Sequence, residues 1–359
     1  MQDSIFKEDI RYVFESIKAE LAQLKDKKIL VTGATGFVGT YLIETLALHN
    51  QLQHEFSCKI FGLARNPVKK DQVLSCSTLS RQGIVLVSGD VRNFKFPEPF
   101  DFIIHAAAPV DPKFLRQNPL EAADIIVNGT RQILEQAVEN KTSRILYISS
   151  GAVYGKQPAD LPEISEEYLG GPDIADANSG YGEAKRYAET LCSIFKKAYG
   201  LSVVVARPFT FVGPCQDLNS GFAVTEFIKA ALNGKPIRIE GDGTTLRSYC
   251  YGADLAVALW KIFFYGKDGR AYNIGSQEPV SIVALARMIV DLAKSKSEII
   301  VLQKPALLRK PSRYIPDINR LKIELGMVNK FNLKDALKRT IDWAKDFQEI
   351  TGKYKKRGD

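Results

Sequence analysis

The sequence lacks the features of a membrane span, a structural zinc site and a disulfide framework. No apolar run approaches the roughly 18 consecutive residues that a transmembrane helix requires. The five cysteines include no CxxC pair, the three histidines form no cluster, and an odd number of thiols cannot all pair within one chain. We therefore expect no membrane span, no bound metal, and scattered core thiols.

The N-terminal segment lacks the apolar core of a secretory signal. Its first 18 residues, MQDSIFKEDIRYVFESIK, mix acidic and basic side chains every few positions, so we expect a cytoplasmic protein. Apolar residues recur at three- and four-residue spacing across residues 4–25, which predicts an amphipathic helix. Because its polar face carries acids as well as bases, we expect this helix to pack on its own domain or on a partner subunit, not on a membrane.

The charge balance is basic. Lys and Arg total 49 against 41 Asp and Glu, a formal net charge of +8, and 45% of the 359 residues are hydrophobic, as in ordinary globular proteins. A basic balance favours anionic partners. The basic residues are spread along the chain without the spacing of a nucleic-acid recognition motif, which favours phosphorylated small molecules over nucleic acid.

Short β-branched runs alternate with helical stretches over the first two thirds of the chain. The predicted strands are 28–32, 58–64, 84–88, 102–106, 145–149 and 201–206, and the predicted helices among them are 37–48, 119–139 and 179–199. Strands separated by helices imply right-handed crossovers and a parallel sheet covered on both faces. The sequence therefore predicts an α/β fold with a doubly wound parallel sheet.

In the second part of the chain the alternation of strands and helices is less regular, and turn residues are more frequent. Helices are predicted near 222–233 and over 252–265, 281–294 and 333–348, with a strand at 270–275. No linker separates this part from the first, so we expect a smaller domain that is interleaved with the larger one. The predicted division is an N-terminal helix (1–25), a dinucleotide-binding domain (26–206, with a segment returning near 247–275), a substrate domain (207–246 and 276–350) and a basic tail (351–359).

Three glycines, Gly33, Gly36 and Gly39, stand between the first predicted strand and the first predicted helix. In dinucleotide-binding proteins the first such glycine permits a tight turn, the second lets backbone N–H groups approach a pyrophosphate, and the third allows close packing of helix on strand. The spacing here is GxxGxxG. Its position directly after a strand and before an amphipathic helix predicts a dinucleotide site.

The end of the second strand distinguishes NAD from NADP, because a carboxylate there binds the ribose 2′-OH and repels a 2′-phosphate. This chain has Arg65 at that place and no acid before Asp71. A guanidinium is a forked donor suited to phosphate, and Lys69 and Lys70 add positive charge. We therefore predict NADP(H), with NAD(H) held through backbone contacts as the alternative.

Tyr181 and Lys185 form a YxxxK pair on one face of a predicted helix. A phenol titrates at about pH 10, and an ammonium about 4 Å away contributes about 4 kcal/mol at an effective dielectric of about 20, or roughly three pKa units. We therefore expect Lys185 to lower the pKa of Tyr181 and prepare it for general acid–base work. Ser149 and Ser150 end a predicted strand, where a hydroxyl can hydrogen-bond a substrate oxygen.

Taken together, these segments resemble a known family. GATGFVG, DFIIHAAA, SSGAVYG and YGEAK, in this order and spacing, are similar to the extended short-chain dehydrogenases/reductases, the NAD(P)-dependent epimerases, dehydratases and reductases of nucleotide sugars. Further matches are GDVRN, IVNGT, RPFTFVGP, GDGTTLRSYCYGADLA and YNIG. The resemblance runs from about residue 28 to about residue 325. It implies a Rossmann-type sheet with a smaller, interleaved C-terminal substrate domain.

The resemblance also implies roles for individual residues. Ser150 and Tyr181 would bracket the reacting sugar oxygen, and Lys185 would hold the nicotinamide ribose; Ser150 is preferred to Ser149 because it stands four residues before Tyr154. The implied cofactor contacts, with Asp90 at the adenine, are Gly33, Thr35, Gly36, Phe37, Val38, Gly39, Arg65, Asp90, Val91, Ala106, Ala107, Ala108, Asn128, Tyr181 and Lys185. The implied substrate contacts, with both arginines at the diphosphate, are Ser150, Thr210, Arg247 and Arg313.

Two residues after the catalytic hydroxyl discriminate among the reactions of the family. Dehydratases carry an Asp-Glu pair there and uronic-acid decarboxylases keep the Glu, whereas this chain has Gly151 and Ala152. Neither side chain can transfer a proton, so both reactions are set aside. The remaining reactions are NADPH-dependent reduction of a 4-keto-6-deoxysugar nucleotide, with Tyr181 as general acid, and NAD-dependent 4-epimerisation. Arg65 favours the reductase.

The sequence leaves several substrates open and predicts the assembly only in outline. A deoxythymidine-diphosphate 4-keto-6-deoxyhexose is the first expectation, with guanosine, uridine and cytidine diphosphates as alternatives, because Thr210 and Ser248 depart from the residues common in relatives. A non-catalytic NAD(P)-binding sensor is disfavoured by the complete set of Ser150, Tyr181 and Lys185. Relatives often dimerise through two-helix faces, so we expect a homodimer formed by 119–139 and 179–199.

Overall fold

The structure is a computed structural model that describes residues 4–66, 83–304 and 310–355, with side chains up to residue 347. Lys69, Lys70 and the last residues of the predicted basic tail, 356–359, lie outside the described residues. The strands are β1 (Lys28–Thr32), β2 (Lys59–Ala64), β3 (Ile84–Ser88), β4 (Phe102–His105), β5 (Arg144–Ile148), β6 (Val203–Pro208), β7 (Phe211–Val212), β8 (Ile237–Ile239), β9 (Leu246–Arg247), β10 (Cys250–Tyr251), β11 (Ala271–Ile274), β12 (Val280–Ser281), β13 (Ile299–Val301) and β14 (Arg313–Tyr314).

The helices lie between and after these strands. They are α1 (Ile5–Ser16), α2 (Lys18–Leu21), α3 (Phe37–Leu52), α4 (Pro112–Gln117), α5 (Pro119–Glu139), α6 (Gly180–Tyr199), α7 (Ala223–Leu232), α8 (Gly252–Tyr265), α9 (Ile282–Ala293), α10 (Asn319–Leu325) and α11 (Leu333–Lys355). Among the helices of the described residues, none has both the length and the hydrophobicity needed to cross a bilayer. Cys58, Cys192, Cys215 and Cys250 are buried in the core, as expected.

A parallel sheet forms the centre of the molecule. Within the described residues it has 7 strands in the order β11-β6-β5-β4-β1-β2-β3. Val31 of β1 pairs with Gly62 of β2 on one side and with Ile104 of β4 on the other. The strand order reverses between β1 and β4, and open α/β sheets bind their ligands at the carboxyl ends of the strands beside such a reversal. The predicted doubly wound α/β fold is confirmed.

The two faces of the sheet carry separate hydrophobic cores, because successive strand residues point in opposite directions. On β1, Ile29 and Val31 enter the core that contains apolar residues of α1, α3 and α8. Leu30, between them, enters the core that contains apolar residues of α5 and α6. Burial on both faces explains why the central strands read as nearly continuous apolar runs.

Shorter strands and helices build a smaller lobe beside the carboxyl ends of the sheet. Its strand β8 pairs with β13, while β9 pairs with both β12 and β14. Helices α7 and α9 pack against each other next to these strands. The pairing of β9 with β14 places Arg247 opposite Tyr314. The domain boundaries given above stay a prediction.

The N-terminal segment differs from the single helix predicted over residues 4–25. Helix α1 ends at Ser16, because Ile17 has a non-helical backbone with φ −139°. The segment continues as α2 and a 3₁₀ turn, Ala22–Leu24. Its apolar side chains are buried in the core shared with α3 and α8, which agrees with the expectation that the segment packs on its own domain.

A buried carboxylate holds α1 to the rest of the protein. Asp9 is fully buried and accepts hydrogen bonds from Tyr251 Oη at 2.5 Å, Arg339 Nη2 at 2.8 Å and Tyr41 Oη at 3.3 Å. Burial raises the pKa of Asp9 to about 6, although the Arg339 charge opposes the shift. The carboxylate therefore depends on these donors to replace its lost hydration.

We expect Tyr251→Phe to lower the free energy of unfolding by about 1–3 kcal/mol, because it leaves the buried carboxylate short of a donor. Urea denaturation measures this change. The control is Tyr265→Phe, which removes a hydroxyl bonded to Glu20 on a side chain that is 52% exposed. The control should stay within about 0.5 kcal/mol of the wild type. Equal stability of the two variants would show that the Asp9 network contributes nothing to holding α1.

Candidate active site

The loop between β1 and α3 can be built only with glycine at two of its positions. Gly33 has φ +68°, and a Cβ there would lie 2.8 Å from the Ala106 carbonyl oxygen. A Cβ on Gly39 would lie 2.2 Å from the Gly33 carbonyl oxygen. The loop therefore lies tightly between the helix start and the end of β4, with its backbone open to a cleft. Such a cradle at a helix N-terminus fits the pyrophosphate of a dinucleotide.

A cavity of about 160 Å³ adjoins this loop at the ends of β2 and β3. It collects most of the residues predicted to contact the cofactor. They are Gly33, Thr35, Gly36, Arg65, Asp90, Val91, Ala106, Ala107 and Ala108. Asn128 does not line it; the residue is exposed on α5, where its side chain donates to Asp124 at 2.5 Å.

Arg92 fixes the acid that was predicted to meet the adenine. Its Nε donates to Asp90 Oδ1 at 3.0 Å and its Nη2 to Asp90 Oδ2 at 2.7 Å. These bonds hold the pKa of Asp90 below its usual range. Arg92 also donates to Asp124, so it joins β3's end to α5. Sequence reasoning did not assign a role to Arg92.

A larger cavity of about 510 Å³ lies at the ends of β1, β4, β5 and β6 and holds the predicted catalytic residues. It also contains the other predicted residues of the glycine loop and, apart from Arg313, those of the substrate site. The polar and charged side chains in its wall are Ser149, Ser150, Tyr181, Lys185, Thr210, Gln216, Arg247 and Tyr314, and Phe37, Val38 and Gly39 also line it. Within the described residues, no Asp or Glu lines this cavity.

Three hydroxyl groups meet in the cavity. The Ser150 hydroxyl lies close enough to Tyr181 and to Tyr314 to oppose the rise in the pKa of each phenol. Ser150 Oγ also accepts from the Ala152 N–H at 3.1 Å, which caps the 3₁₀ turn that follows β5 and fixes the serine. The predicted pair of Ser150 and Tyr181 is therefore brought together. Tyr314 joins them, although sequence reasoning did not select it.

The pKa of Tyr181 shifts in the direction opposite to our expectation. Burial raises it above its usual value, and the hydrogen bond to Ser150 opposes only part of the shift. Lys185 does not act on the phenol here, because its Nζ donates to the Ile148 carbonyl at 2.7 Å and lies 5.0 Å from the centre of the Tyr147 ring. Burial also lowers the pKa of Lys185 to about 7. The expectation treated charge alone and omitted desolvation.

Arg247 supplies the positive charge at the other end of this cavity. Its guanidinium lies 5.6 Å from the centre of the Tyr314 ring, and its Nη1 donates to the Leu246 carbonyl at 3.0 Å. Burial lowers its pKa. In the described part of the chain no salt bridge joins Arg247 to a carboxylate. A half-buried cation without a carboxylate partner among the described residues suits an anionic ligand.

Arg313 is not brought to the site. It precedes Tyr314 on β14, and neighbouring strand residues point to opposite faces, so Tyr314 lines the cavity while Arg313 does not. A strand of 2 residues carries no periodic signal that could have separated them.

A third cavity, of about 360 Å³, continues the central one into the smaller lobe. The two cavities share Thr210, Phe222, Val224 and Arg247 in their walls. Arg247 therefore stands at the junction of two chambers. This shape fits a ligand with two bulky ends and an anionic middle.

The chain is similar to known proteins in sequence and in fold. The model of the NAD-dependent epimerase/dehydratase family matches residues 29–275. The chain is 31% identical over 310 residues to UDP-glucuronic acid decarboxylase 6 of Arabidopsis thaliana, covering 86% of each chain. It superposes on the UDP-glucuronic acid 4-epimerase of Bacillus cereus, solved with NAD, with a TM-score of 0.72 and 26% identity, covering 89% of this chain and 99% of that one. It superposes on the dTDP-glucose 4,6-dehydratase of Streptomyces venezuelae with a TM-score of 0.77 and 22% identity, covering 90% and 98%.

Proposed function

This chain belongs to the NAD-dependent epimerase/dehydratase family, and on that basis we propose that it transfers hydride at C4 of a nucleotide-diphosphate sugar. The observation that carries the proposal is the wall of the central cavity. It offers hydroxyls for one sugar oxygen, from Ser150 and Tyr181, and no carboxylate among its described residues. Such a wall suits reactions that need hydride transfer and a single acid–base group.

Of the two reactions that remain, the comparisons support the 4-epimerase better than the reductase. The Bacillus cereus protein, at 26% identity, is a 4-epimerase that was solved with NAD. We therefore place the 4-epimerase first, which reverses the order that Arg65 suggested. Arg65 keeps the reductase as the second candidate, because no acid ends β2 and a guanidinium suits the 2′-phosphate of NADP(H).

The chain's own residues account for binding and for proton movement. A nicotinamide dinucleotide supplies the hydride chemistry when it is bound. The glycine loop would hold its pyrophosphate, and Lys185 would hold its ribose beside the cavity. Tyr181 takes the proton of the sugar 4-hydroxyl as that carbon is oxidised, and returns it when the ketone is reduced. Ser150 hydrogen-bonds the same oxygen and limits where it can sit.

The substrate class follows from Arg247. As a half-buried cation at the junction of the two chambers, it would pair with the diphosphate. The sugar then lies in the central cavity and the nucleoside in the outer one. Uridine and deoxythymidine diphosphates are the first nucleotides to test, because they occur in the names of a relative and of a structural neighbour.

An assay that follows both sugar and cofactor separates the candidates. The protein is incubated with UDP- and dTDP-hexoses and NAD, and with the matching 4-keto-6-deoxysugars and NADPH or NADH. Conversion at C4 without net change in the cofactor supports the epimerase. Oxidation of NADPH or NADH, followed at 340 nm and equal in amount to the keto sugar consumed, supports the reductase. Absence of both reactions would contradict the proposal and favour a non-catalytic nucleotide-binding protein.

Steric packing at Gly151 argues against dehydration. A Cβ at this position would lie 2.5 Å from Tyr314 Oη and 2.7 Å from the Phe209 ring. The acid that dehydratases carry here therefore has no room. Ala152, where the second acid of that pair would stand, lines the cavity without a proton-transferring group.

We expect Gly151→Asp with Ala152→Glu to create no measurable 4,6-dehydratase activity and to lower stability by about 1–3 kcal/mol, because the new side chain overpacks against Tyr314 and Phe209. Product analysis by mass spectrometry and urea denaturation measure the two effects. Ala152→Glu alone is the control, and its free energy of unfolding should lie closer to that of the wild type than that of the double variant does. Dehydration by the double variant would show that only the missing acids block that reaction.

We also propose a homodimer formed through α5 and α6. These helices pack on each other, and they carry exposed apolar side chains at Leu120, Tyr187 and Ile194. Large exposed apolar side chains on one helical face are typical of interfaces. Light scattering of the purified protein tests the assembly.

A further inference from the structure

A half-buried carboxylate that the proposed mechanism does not use lies next to the catalytic residues. Glu189 is on α6, four and eight residues after Lys185 and Tyr181, and therefore on the same side of the helix. Its side chain is only 14% exposed. A buried charge of this kind needs partners to be retained.

The partners of Glu189 join it to two strands of the sheet. Arg207 of β6 donates from Nε at 3.0 and 3.2 Å and from Nη2 at 2.6 Å, so the carboxylate is held by a forked ion pair. Ser149, the residue before Ser150 at the end of β5, donates its hydroxyl to Glu189 Oε1, which also accepts from Arg207 Nε. Glu189 thus ties the helix that carries Tyr181 to the strand end that carries Ser150.

Arg207 is itself held in place. Its Nη1 donates to Tyr154 Oη at 2.6 Å, and Tyr154 Oη donates to Asn273 Oδ1 at 2.8 Å. These bonds run from α6 through β6 to β11 across the buried end of the sheet. They prevent Arg207 from leaving Glu189, and they leave the carboxylate few alternative positions.

We propose that Glu189 is a positioning residue, which sets the distance between Ser150 and Tyr181 and balances the charge of Lys185. The proposal rests on the proposed hydride-transfer function. The groups that face Lys185 are Glu189 and Cys192 from its own helix, Tyr147 from β5, and His105 from β4. Glu189 is the anionic group among them, and it raises the pKa of Lys185 against the effect of burial.

The charge is tested by Glu189→Gln. Because the variant removes a negative charge and leaves the Arg207 cation, the pKa of Lys185 should fall by about one unit or more. The alkaline limb of kcat/KM then moves to lower pH, and kcat falls by about 10-fold with little change in KM. Glu189→Asp keeps the charge and should keep the position of this limb. Glu183→Gln is the control, because Glu183 is on the same helix with its side chain 38% exposed.

The geometry is tested by Ser149→Ala, which breaks the link to β5 and leaves every charge in place. We expect kcat to fall several-fold without movement of the alkaline limb. NMR titration of the Lys185 ammonium in the wild type and in Glu189→Gln needs no substrate. This titration therefore tests the role of Glu189 even if the protein converts no sugar nucleotide. Absence of turnover would contradict the proposed function and would leave the result of the titration unaffected. An unchanged Lys185 pKa in Glu189→Gln, or wild-type kcat in Ser149→Ala, would overturn the proposal.

Discussion

Tyr181→Phe should lower kcat by about 10³-fold, while the affinity for the dinucleotide stays within a few-fold, because a positioned acid–base group contributes about 10²–10⁴ to such reactions. The ring of Tyr181 packs against the core beneath α5 and α6, and Phe preserves that packing. The variant therefore removes the hydroxyl at the sugar oxygen and little else. Steady-state kinetics and titration of the dinucleotide by fluorescence measure the two effects.

A second tyrosine on the same helix provides the control. Tyr187 is 52% exposed, so Tyr187→Phe should keep wild-type kcat. If Tyr181→Phe also kept it, the phenol would have no part in proton transfer. In that case the arrangement of Ser150, Tyr181 and Tyr314 would be a structural hydrogen-bond cluster only.

Arg65→Asp should change the ratio of the dissociation constants for NADP(H) and NAD(H) by about 100-fold in favour of NAD(H), because it removes a charge-assisted bond worth about 1.5–3 kcal/mol and adds repulsion to the 2′-phosphate. Arg65 lines the cavity at the ends of β2 and β3 together with Asp90, and its charge helps to lower the pKa of that acid. Calorimetry with each dinucleotide measures the ratio without any substrate.

The matched control for this change is Arg131→Asp. Arg131 is on α5, with its side chain 63% exposed and paired to Glu135, so the variant alters the net charge equally but away from the cavity. It should leave the ratio unchanged. If Arg65→Asp also left the ratio of dissociation constants unchanged, other residues would recognise the 2′ position. Arg65 would then no longer support the reductase as a candidate function.

The central strands could be predicted from the sequence because burial on both faces leaves them as compact apolar runs. Residues 28–32 and 84–88 are strands with the predicted bounds, and 119–139 is a helix with the predicted bounds. The strands of the smaller lobe could not be predicted. Five of them, β7, β9, β10, β12 and β14, have 2 residues each, which is too short for any periodic pattern.

The candidate site was predicted where a local motif fixes it and missed where strand pairing fixes it. The glycine loop and the pair of Ser150 and Tyr181 depend on short segments with strict steric demands. Tyr314 reaches the cavity only because β14 pairs with β9, more than sixty residues away in the chain. The sign of the Tyr181 pKa shift was wrong for a related reason, since desolvation is set by the whole fold and not by the spacing of Tyr181 and Lys185.

The most direct test of hydride transfer at C4 uses a labelled reductant. The protein is incubated with a UDP- or dTDP-4-keto-6-deoxysugar and with NADPH or NADH that carries deuterium at both hydrogen positions of the nicotinamide C4, and the sugar product is analysed by NMR. Hydride transfer beside Ser150 and Tyr181 predicts deuterium at C4 of the sugar, whether the enzyme is an epimerase or a reductase. Deuterium at another sugar carbon, or retained entirely on the nicotinamide, would contradict it.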